Sequence, residues 1–225
     1  MKIIARIYTD FPDKFGVPRQ SGLVPGLTGR IVFEPEYRDA SALRGLDGFS
    51  HMWLIWKFSG SVMEKWSPTV RPPRLGGDTR MGVFATRSPF RPNPIGLSCV
   101  KLERIEYGSE GPVICVSGID MIDNTPIFDI KPYLPDADCK PDALSGFAGK
   151  YADYRLKVEF SEGLGDDVAP EKLSQLEKVL ACDPRPAYQN DPERIYGMSF
   201  AGLNVKFKVS AAVLTVVGIE VCKDT

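Results

Sequence analysis

Prolines and glycines divide the first 138 residues of this chain into short segments. The loop from Thr9 to Thr28 alone carries three prolines and three glycines, and each proline fixes φ and removes a backbone donor. Because this spacing leaves little room for long helices, we predict that the apolar runs between the loops are strands: Lys2–Tyr8, His51–Phe58, Gly82–Ala85, Leu97–Ile105 and Val113–Gly118. Short strands separated by Gly/Pro loops favour a β-barrel or a curled sheet.

A different pattern begins after residue 138. Tyr154–Phe160 alternates apolar and charged residues, as a half-buried strand does, and Pro170–Leu180 has leucines spaced along one face of an amphipathic helix. Asn204–Val209 and Ala212–Val221 are predicted to form a final strand pair. The sequence therefore predicts a mainly β protein, with an N-terminal β-barrel domain at residues 1–138 and a small α+β domain at residues 139–225.

Composition indicates a soluble protein of the cytoplasm. The chain has 225 residues, of which 43% are hydrophobic and 25% charged, as is ordinary for a globular protein. It contains no run near the roughly 18 apolar residues that a membrane helix requires, so we expect neither export nor membrane insertion. Its five cysteines include no C-x-x-C pair, and their odd number argues for reduced thiols rather than a disulfide framework.

Several common chemistries have no sequence signature here. The only histidine, His51, lies within an apolar strand, where a core role is more common than metal binding, so no metal site is predicted. Nucleophilic catalysis lacks a histidine partner and a G-x-S-x-G motif. Neither a P-loop nor a G-x-G-x-x-G motif is present. Any nucleotide-like cofactor would therefore have to be held by loops.

One loop, "GVFATRSPFRPNPIGLS" (residues 82–98), is both stiff and cationic. The segment from Ser67 to Ser98 contains five arginines and a single acid, Asp78, although the formal net charge of the whole chain is only −1. Arginine presents a planar fork that suits phosphate and carboxylate groups. Two interpretations stay open at this point: the loop is a preorganised binding site, or its arginines hydrogen-bond to loop carbonyls.

Four loop motifs together resemble a known family. They are "GVPRQSGL", "RPPRLGG", "ATRSPFRPNPIG" and "SGIDMIDNTPIFDIKPYLP", which begin at Gly16, Arg71, Ala85 and Ser117. With "LRGLDGFSHMWLI" they are similar to the tRNA-methyltransferase O family, and "DPRPAYQ" and "YGMSFAGLNVKFKV" resemble that family's C-terminal region. The resemblance covers nearly the whole chain.

The resemblance implies a β-barrel methyltransferase, unlike the Rossmann enzymes, that uses S-adenosyl-L-methionine. Its expected substrate is tRNA, at N6 of threonylcarbamoyladenosine beside the anticodon, and the expected assembly is a homodimer with the cofactor near the interface. The family's cofactor contacts carry over to Gln20, Ser21, Gly22, Phe58, Ser59, Arg87, Leu97, Ser117, Gly118, Ile119 and Asp120. Where the family often has Asp-Gly-Thr-Pro, this chain has Asn124 in place of the glycine, and asparagine tolerates positive φ.

Methyl transfer to this substrate requires residues that activate the acceptor nitrogen and residues that bind the substrate. Candidate bases are Asp120, Asp123 and Tyr133. Candidate residues for binding the substrate, including its threonyl carboxylate, are Arg74, Arg91, Asn93 and Lys131. Arg185, Lys206 and Lys208 are candidate contacts to tRNA phosphates, and Phe90 is a candidate platform for base stacking. An alternative function is a non-catalytic RNA-binding module that keeps the same fold.

Overall fold

The computed structural model describes residues 1–60, 66–72, 75, 79–185, 189 and 191–222. Six antiparallel strands of its N-terminal part close into a barrel: β1 (Ala5–Thr9), β2 (Thr28–Phe33), β3 (His51–Lys57), β6 (Ile95–Gly108), β7 (Gly111–Ser117) and β8 (Thr125–Pro132). Their order around the barrel is β1-β2-β7-β6-β3-β8. Two short strands, β4 (Thr69–Val70) and β5 (Met81–Gly82), pair separately. The predicted β-barrel is therefore confirmed.

Alternation along the strands fills the barrel interior. In β3, Met52, Leu54 and Trp56 are buried, whereas the residues between them are half-buried on the outer wall. β1 and β2 contribute Ile7 and Ile31, which are opposite each other in the pairing and are both buried. Closure pairs each strand with two neighbours over most of its length, so the barrel is a rigid base for the loops at its ends.

The C-terminal part is a small α+β unit, as predicted. Its sheet has the order β10-β11-β12-β9, in which β9 pairs with β12 in parallel and the other pairs are antiparallel. The strands are β9 (Lys157–Phe160), β10 (Tyr196–Phe200), β11 (Leu203–Ser210) and β12 (Val213–Val221). The helix predicted from Pro170 is confirmed and runs to Ala181. Among the described residues, no helix is long and apolar enough to cross a membrane.

Short helical turns connect these elements. One turn of α-helix, α1 (Pro135–Asp138), follows β8, and the longer helix is α2 (Pro170–Ala181). Turns of 3-10 helix occur at Pro35–Tyr37, Ala40–Leu43, Leu46–Gly48, Val83–Ala85 and Gly146–Tyr151. The boundary predicted between residues 138 and 139 lies in the segment between β8 and β9, and it remains a prediction.

The C-terminal unit packs against the loop that follows β1. The ring centroids of Phe11 and Phe200 are 5.1 Å apart, and the Ala201 backbone N–H donates to the Asp10 carbonyl at 2.9 Å. From α2, Gln175 Nε2 donates to the Gly26 carbonyl at 2.7 Å. One hydrophobic cluster includes buried residues from both parts. The loop between β1 and β2 is thus in contact with both units.

Candidate functional site

The candidate site lies where two neighbouring barrel strands separate. β6 and β7 are paired only from Lys101 and Ser117 onward, whereas the earlier residues of β6 pair with β3 on their other side. Two loop segments, residues 20–22 and 118–120, fill the gap. The Cys99 backbone N–H donates to Ser21 Oγ at 3.2 Å, so the loop supplies an acceptor where β6 does not pair with β7.

Two glycines join these loop segments. The Gly22 N–H donates to the Gly118 carbonyl at 2.9 Å, and both residues have positive φ, +78° and +76°. Side chains rarely adopt this left-handed region, so the geometry favours glycine at both positions. A Cβ at Gly22 would meet no atom within 4 Å. Space next to the Gly22 backbone is therefore open to a ligand.

The Asp120 carboxyl is the most perturbed acid at this junction. Its Oδ1 accepts from Ser98 Oγ at 2.6 Å, and the same hydroxyl accepts from the Trp56 indole N–H at 2.9 Å. Burial raises the pKa of Asp120 from 3.8 to about 6, against the opposing effects of the hydrogen bonds from Ser98 and Ser21 and of the Arg87 charge. The pKa of this carboxyl group thus lies close to neutral pH, where the group can both release and accept a proton.

Arg87 brings a cation to the same place. Its guanidinium donates to Gln20 Oε1, and its charge acts on Asp120. Six of the predicted cofactor residues therefore meet here: Gln20, Ser21, Gly22, Arg87, Gly118 and Asp120.

The other predicted cofactor residues lie nearby or face elsewhere. The Phe58 ring is 4.3 Å from the Trp56 ring, and Leu97 is 55% exposed on the strand that carries Ser98. Ser59 is exposed after β3. The Ser117 hydroxyl instead donates to Glu103 Oε1 at 2.5 Å, and Ile119 is buried in the core. The Ser117 hydroxyl is thus occupied by Glu103, and the Ile119 side chain packs in the core.

Asp123 and Tyr133, the other candidate bases, have different surroundings. Asp123 Oδ1 accepts from the Thr9 backbone N–H at 2.8 Å, so this carboxylate holds the turn before β8 against β1. Asn124 in that turn has φ of +58°, which confirms that asparagine adopts the conformation predicted there. Tyr133 packs 5.7 Å from the Trp53 ring, and burial raises the pKa of its phenol above 10.0. Neither group is among the side chains that act on the Asp120 carboxyl, which are Ser98 and Arg87.

The predicted substrate residues are distributed over a wider surface. Arg91 Nη1 donates to the Thr86 carbonyl at 2.7 Å, and its guanidinium lies 5.8 Å from the Phe84 ring centroid. This arginine therefore braces its own loop, as the second interpretation of the sequence describes. Asn93 is exposed. Lys131 Nζ pairs with Asp129 Oδ2 at 3.1 Å on the surface, and Arg74 lies outside the described residues.

One predicted phosphate contact is wrong. Arg185 is only 8% exposed, and its Nε lies 2.9 Å from Asp183 Oδ1 in a buried ion pair. Because this guanidinium faces the interior, it cannot meet a tRNA phosphate. Lys206 in β11 is accessible but pairs with Glu220 at 2.8 Å.

Comparison with known proteins identifies the family. The tRNA-methyltransferase O N-terminal domain matches residues 6–139, and the TrmO C-terminal domain matches residues 153–222. The chain belongs to the tRNA-methyltransferase O family.

Similar proteins align with most of this chain. A tRNA (adenine(37)-N6)-methyltransferase of Escherichia coli is 40% identical over an alignment that covers 96% of each chain. The enzyme of the same name from Eikenella corrodens is 48% identical over 72% of this chain and 91% of its own. A crystal structure of TrmO from Pseudomonas aeruginosa superposes with a TM-score of 0.75 at 34% identity and covers 97% of both chains.

Sequence reasoning missed Ser98 and Trp56 as members of the candidate site. Ser98 was quoted only as the end of the proline loop, yet it links the Trp56 indole to the Asp120 carboxyl. A signal was available, because Ser98 is the polar residue at an inward position of β6 between Gly96 and Val100. A lone hydroxyl facing a core requires a partner. Only the fold shows that this partner is Asp120.

Proposed function

We propose that this protein transfers a methyl group from S-adenosyl-L-methionine to N6 of threonylcarbamoyladenosine beside the anticodon of tRNA. Membership of the tRNA-methyltransferase O family makes the protein a tRNA methyltransferase with a barrel fold. The observation that carries the proposed site is the meeting of Arg87, Gln20 and Asp120 between β6 and β7. The proposed enzyme is cytoplasmic and homodimeric, with the cofactor near the interface, as the resemblance implies.

The groups at the junction fit the polar parts of S-adenosyl-L-methionine. The Arg87 guanidinium suits the carboxylate of the methionine moiety, and the Asp120 carboxylate suits ribose hydroxyls or the amino group. The open backbone at Gly22 allows close approach, while Phe58 and Leu97 offer apolar surface for the adenine ring. When bound, the cofactor supplies the electrophilic methyl group. Among the predicted contacts, Ser117 and Ile119 act through the backbone or through packing.

Methyl transfer depends chiefly on alignment of the reacting atoms. The chain provides this alignment with loops that are hydrogen-bonded to a closed barrel, including the Phe58 N–H, which donates to the Pro94 carbonyl at 2.9 Å. A carboxylate beside the sulfonium would stabilise the ground state more than the transition state. We therefore place Asp120 at the cofactor hydroxyls or at the acceptor nitrogen. Both roles require its ionised form.

Exposed aromatic rings support an RNA substrate. Trp66 and Phe84 stack with centroids 6.2 Å apart and remain 51% and 72% exposed. Arg91 lies over Phe84, and Phe90 is 38% exposed in the same loop. Bases of a single-stranded anticodon loop can stack on such rings. In this proposal Arg91, Asn93, Lys131 and Arg74 provide polar and cationic groups for the threonyl carboxylate and the neighbouring RNA.

The test is mass spectrometry of nucleosides from tRNA incubated with protein and cofactor. We expect N6-methylated threonylcarbamoyladenosine to form, and Arg87→Ala to weaken cofactor binding in calorimetry by about 10- to 100-fold. The matched control is Arg30→Ala, because Arg30 pairs with Glu106 on the outer wall. Folded protein that binds tRNA but neither binds the cofactor nor methylates would overturn the proposal in favour of the non-catalytic RNA-binding module.

A further inference from the structure

The loop of residues 10–22, here called the bridging loop, reaches from the C-terminal unit to the candidate cofactor site. Near its middle the Phe15 ring stacks on Phe207 of β11, with centroids 6.4 Å apart and planes 14° from parallel. Gly16 lies directly against Met198 of β10, because a Cβ at Gly16 would come within 2.1 Å of the methionine Sδ. The bridging loop is thus seated on the C-terminal sheet.

Arg19 makes the contact nearest to the site. Its Nη2 donates to the backbone carbonyls of Asp183 at 3.3 Å and Arg185 at 3.1 Å. These acceptors lie 164 and 166 residues further along the chain. The residues directly after Arg19 are those that bond Arg87, Cys99 and Gly118. Among the hydrogen bonds of the described residues, those of Arg19 are thus the contacts with the C-terminal unit that lie directly before the site.

The two carbonyls are held by a rigid turn. Asp183 has φ of +54°, and its carboxylate accepts from Arg185 Nε at 2.9 Å and Nη2 at 3.1 Å. The Tyr154 hydroxyl donates to the same carboxylate at 3.1 Å. Asp183 and Arg185 are 9% and 8% exposed. A buried bidentate ion pair fixes geometry, and removing one partner leaves the other charge uncompensated.

We infer that Asp183 and Arg185 are positioning residues for the cofactor site, acting through Arg19. The ion pair fixes two carbonyls, the carbonyls hold Arg19, and Arg19 keeps residues 20–22 in the conformation that binds the cofactor. This inference rests on the proposed function, because it concerns the cofactor of that same site. It gives the C-terminal unit a role in methyl transfer that needs no contact with tRNA.

The physical basis is the population of the binding-competent loop. If residues 20–22 leave their bound conformation for most of the time, the apparent dissociation constant rises in inverse proportion to the competent fraction. Once the site is saturated, the reaction geometry is restored. A loosened anchor therefore raises the cofactor Kd and KM and leaves kcat and the tRNA KM nearly unchanged.

The first variant is Arg19→Ala, measured in the full chain by calorimetry with S-adenosyl-L-methionine and by steady-state kinetics. We expect the cofactor Kd to rise about tenfold, with kcat within about twofold of the parent. The matched control is Arg155→Ala, whose guanidinium also bonds backbone carbonyls, those of Ala152 at 3.3 Å and Tyr154 at 2.8 Å. The control should bind the cofactor like the parent. Arg19→Lys, which keeps one donor group, should recover part of the affinity.

The second variant acts from the far side of the contact. Asp183→Asn keeps a residue that tolerates positive φ but removes the charge that holds Arg185. It should also weaken cofactor binding. The double variant, Arg19→Ala with Asp183→Asn, should have a cofactor Kd no higher than that of the single variant with the larger effect, because the effects of coupled residues are not additive. Should Asp183→Asn fail to fold, Arg19→Ala and Arg19→Lys carry the test.

The outcomes separate this inference from the proposed function. A parent protein that does not bind the cofactor refutes the proposed function itself. A parent that binds, with Arg19→Ala binding equally well, refutes only the positioning role. Additive effects of Arg19→Ala and Asp183→Asn would also overturn it, because they would mean that the two residues act independently.

Discussion

Asp120 lies in the proposed cofactor site, and its ionised form has an energetic cost. The ionised carboxyl is half-buried, and its pKa rises from 3.8 to about 6. An acid whose pKa is raised by folding opposes folding once it ionises. The contribution of Asp120 to the free energy of unfolding is therefore most favourable below pH 3.8, and it is lost as the pH rises through about 6. Sites that bind ligands often retain such unfavourable groups.

We predict that Asp120→Asn stabilises the protein at pH 8 and reduces methyl transfer. Removing the buried charge should raise the free energy of unfolding by up to about 3 kcal/mol, and the gain should disappear at pH 3.5. Urea unfolding at both pH values measures the first effect, and methyl incorporation measures the second. Asp129→Asn is the control, because Asp129 is a surface partner of Lys131. Loss of stability at pH 8 together with full activity would contradict the assignment.

The same pKa predicts a pH profile. Both proposed roles of Asp120 need the carboxylate. Activity should therefore fall tenfold for each pH unit below about pH 6. The parent should lose activity on acidification while far-UV circular dichroism still shows folded protein. Asp120→Asn, with its small residual activity, should not show this limb. A profile that is flat from pH 7 to 5 would show that ionisation of Asp120 is not required.

At the scale of elements, the loop from β5 to β6 (residues 83–94) is braced by its own hydrogen bonds. The Arg91 guanidinium holds the Thr86 and Val83 carbonyls, and the Thr86 hydroxyl donates to the Val83 carbonyl at 2.9 Å. Prolines restrict the remaining torsions. Arg91 is therefore both part of the loop framework and a cation at its surface, and both interpretations of its sequence pattern apply to one residue.

This loop presents Phe84 for RNA contact. We predict that Phe84→Ala raises the tRNA KM by about 5- to 100-fold, as expected for loss of one stacked base, and leaves the cofactor Kd unchanged. Tyr107→Ala is the matched control, because Tyr107 is 65% exposed at the β6–β7 hairpin. Filter binding of tRNA and calorimetry of the cofactor separate the two effects. If Phe84→Ala instead changes the oligomeric state with normal tRNA binding, these rings belong to the dimer interface.

Elements with a clean period could be predicted from the sequence, and irregular ones could not. α2 has leucines at helical spacing and Pro170 in its first turn, and β3 is an apolar run. β8 lies in the motif that begins at Ser117, which was interpreted as a loop, and Pro126, Asp129 and Pro132 interrupt its apolar pattern. β8 lies between β1 and β3, and pairing with them satisfies its backbone hydrogen-bonding groups. No local sequence pattern reveals this pairing. β2 and β10 were likewise missed.

At the scale of the whole molecule, the site depends on contacts that are distant in sequence. The resemblance supplied Gln20, Arg87 and Asp120, but their meeting depends on the separation of β6 and β7. The link from Arg19 to Asp183 spans 164 residues, and no local motif encodes it. "DPRPAYQ" was matched to the family, yet its arginine was predicted to face RNA. Burial of Arg185 changes that interpretation from substrate binding to support of the site.

The whole arrangement also predicts which tRNA is methylated. We expect turnover to require the threonylcarbamoyl group on the adenine, because its carboxylate can bind the cationic loop of residues 83–94 while the nitrogen lies at the cofactor methyl group. Binding energy from this remote group can be used to orient the reacting atoms, so substrates that lack it should lose kcat as well as affinity.

The measurement offers matched tRNAs that carry either plain adenosine or threonylcarbamoyladenosine at the same position and follows methyl incorporation from labelled cofactor. We expect kcat on the plain substrate to fall at least about 100-fold, consistent with the loss of a charge-assisted contact and of orientation. Free threonylcarbamoyladenosine nucleoside is a useful third substrate, because it keeps the carboxylate but lacks the RNA that would stack on Phe84. It should be methylated with a raised KM. Equal turnover of the two tRNAs would show that the loop recognises RNA without its modification, and the carboxylate role of Arg91 would then be wrong.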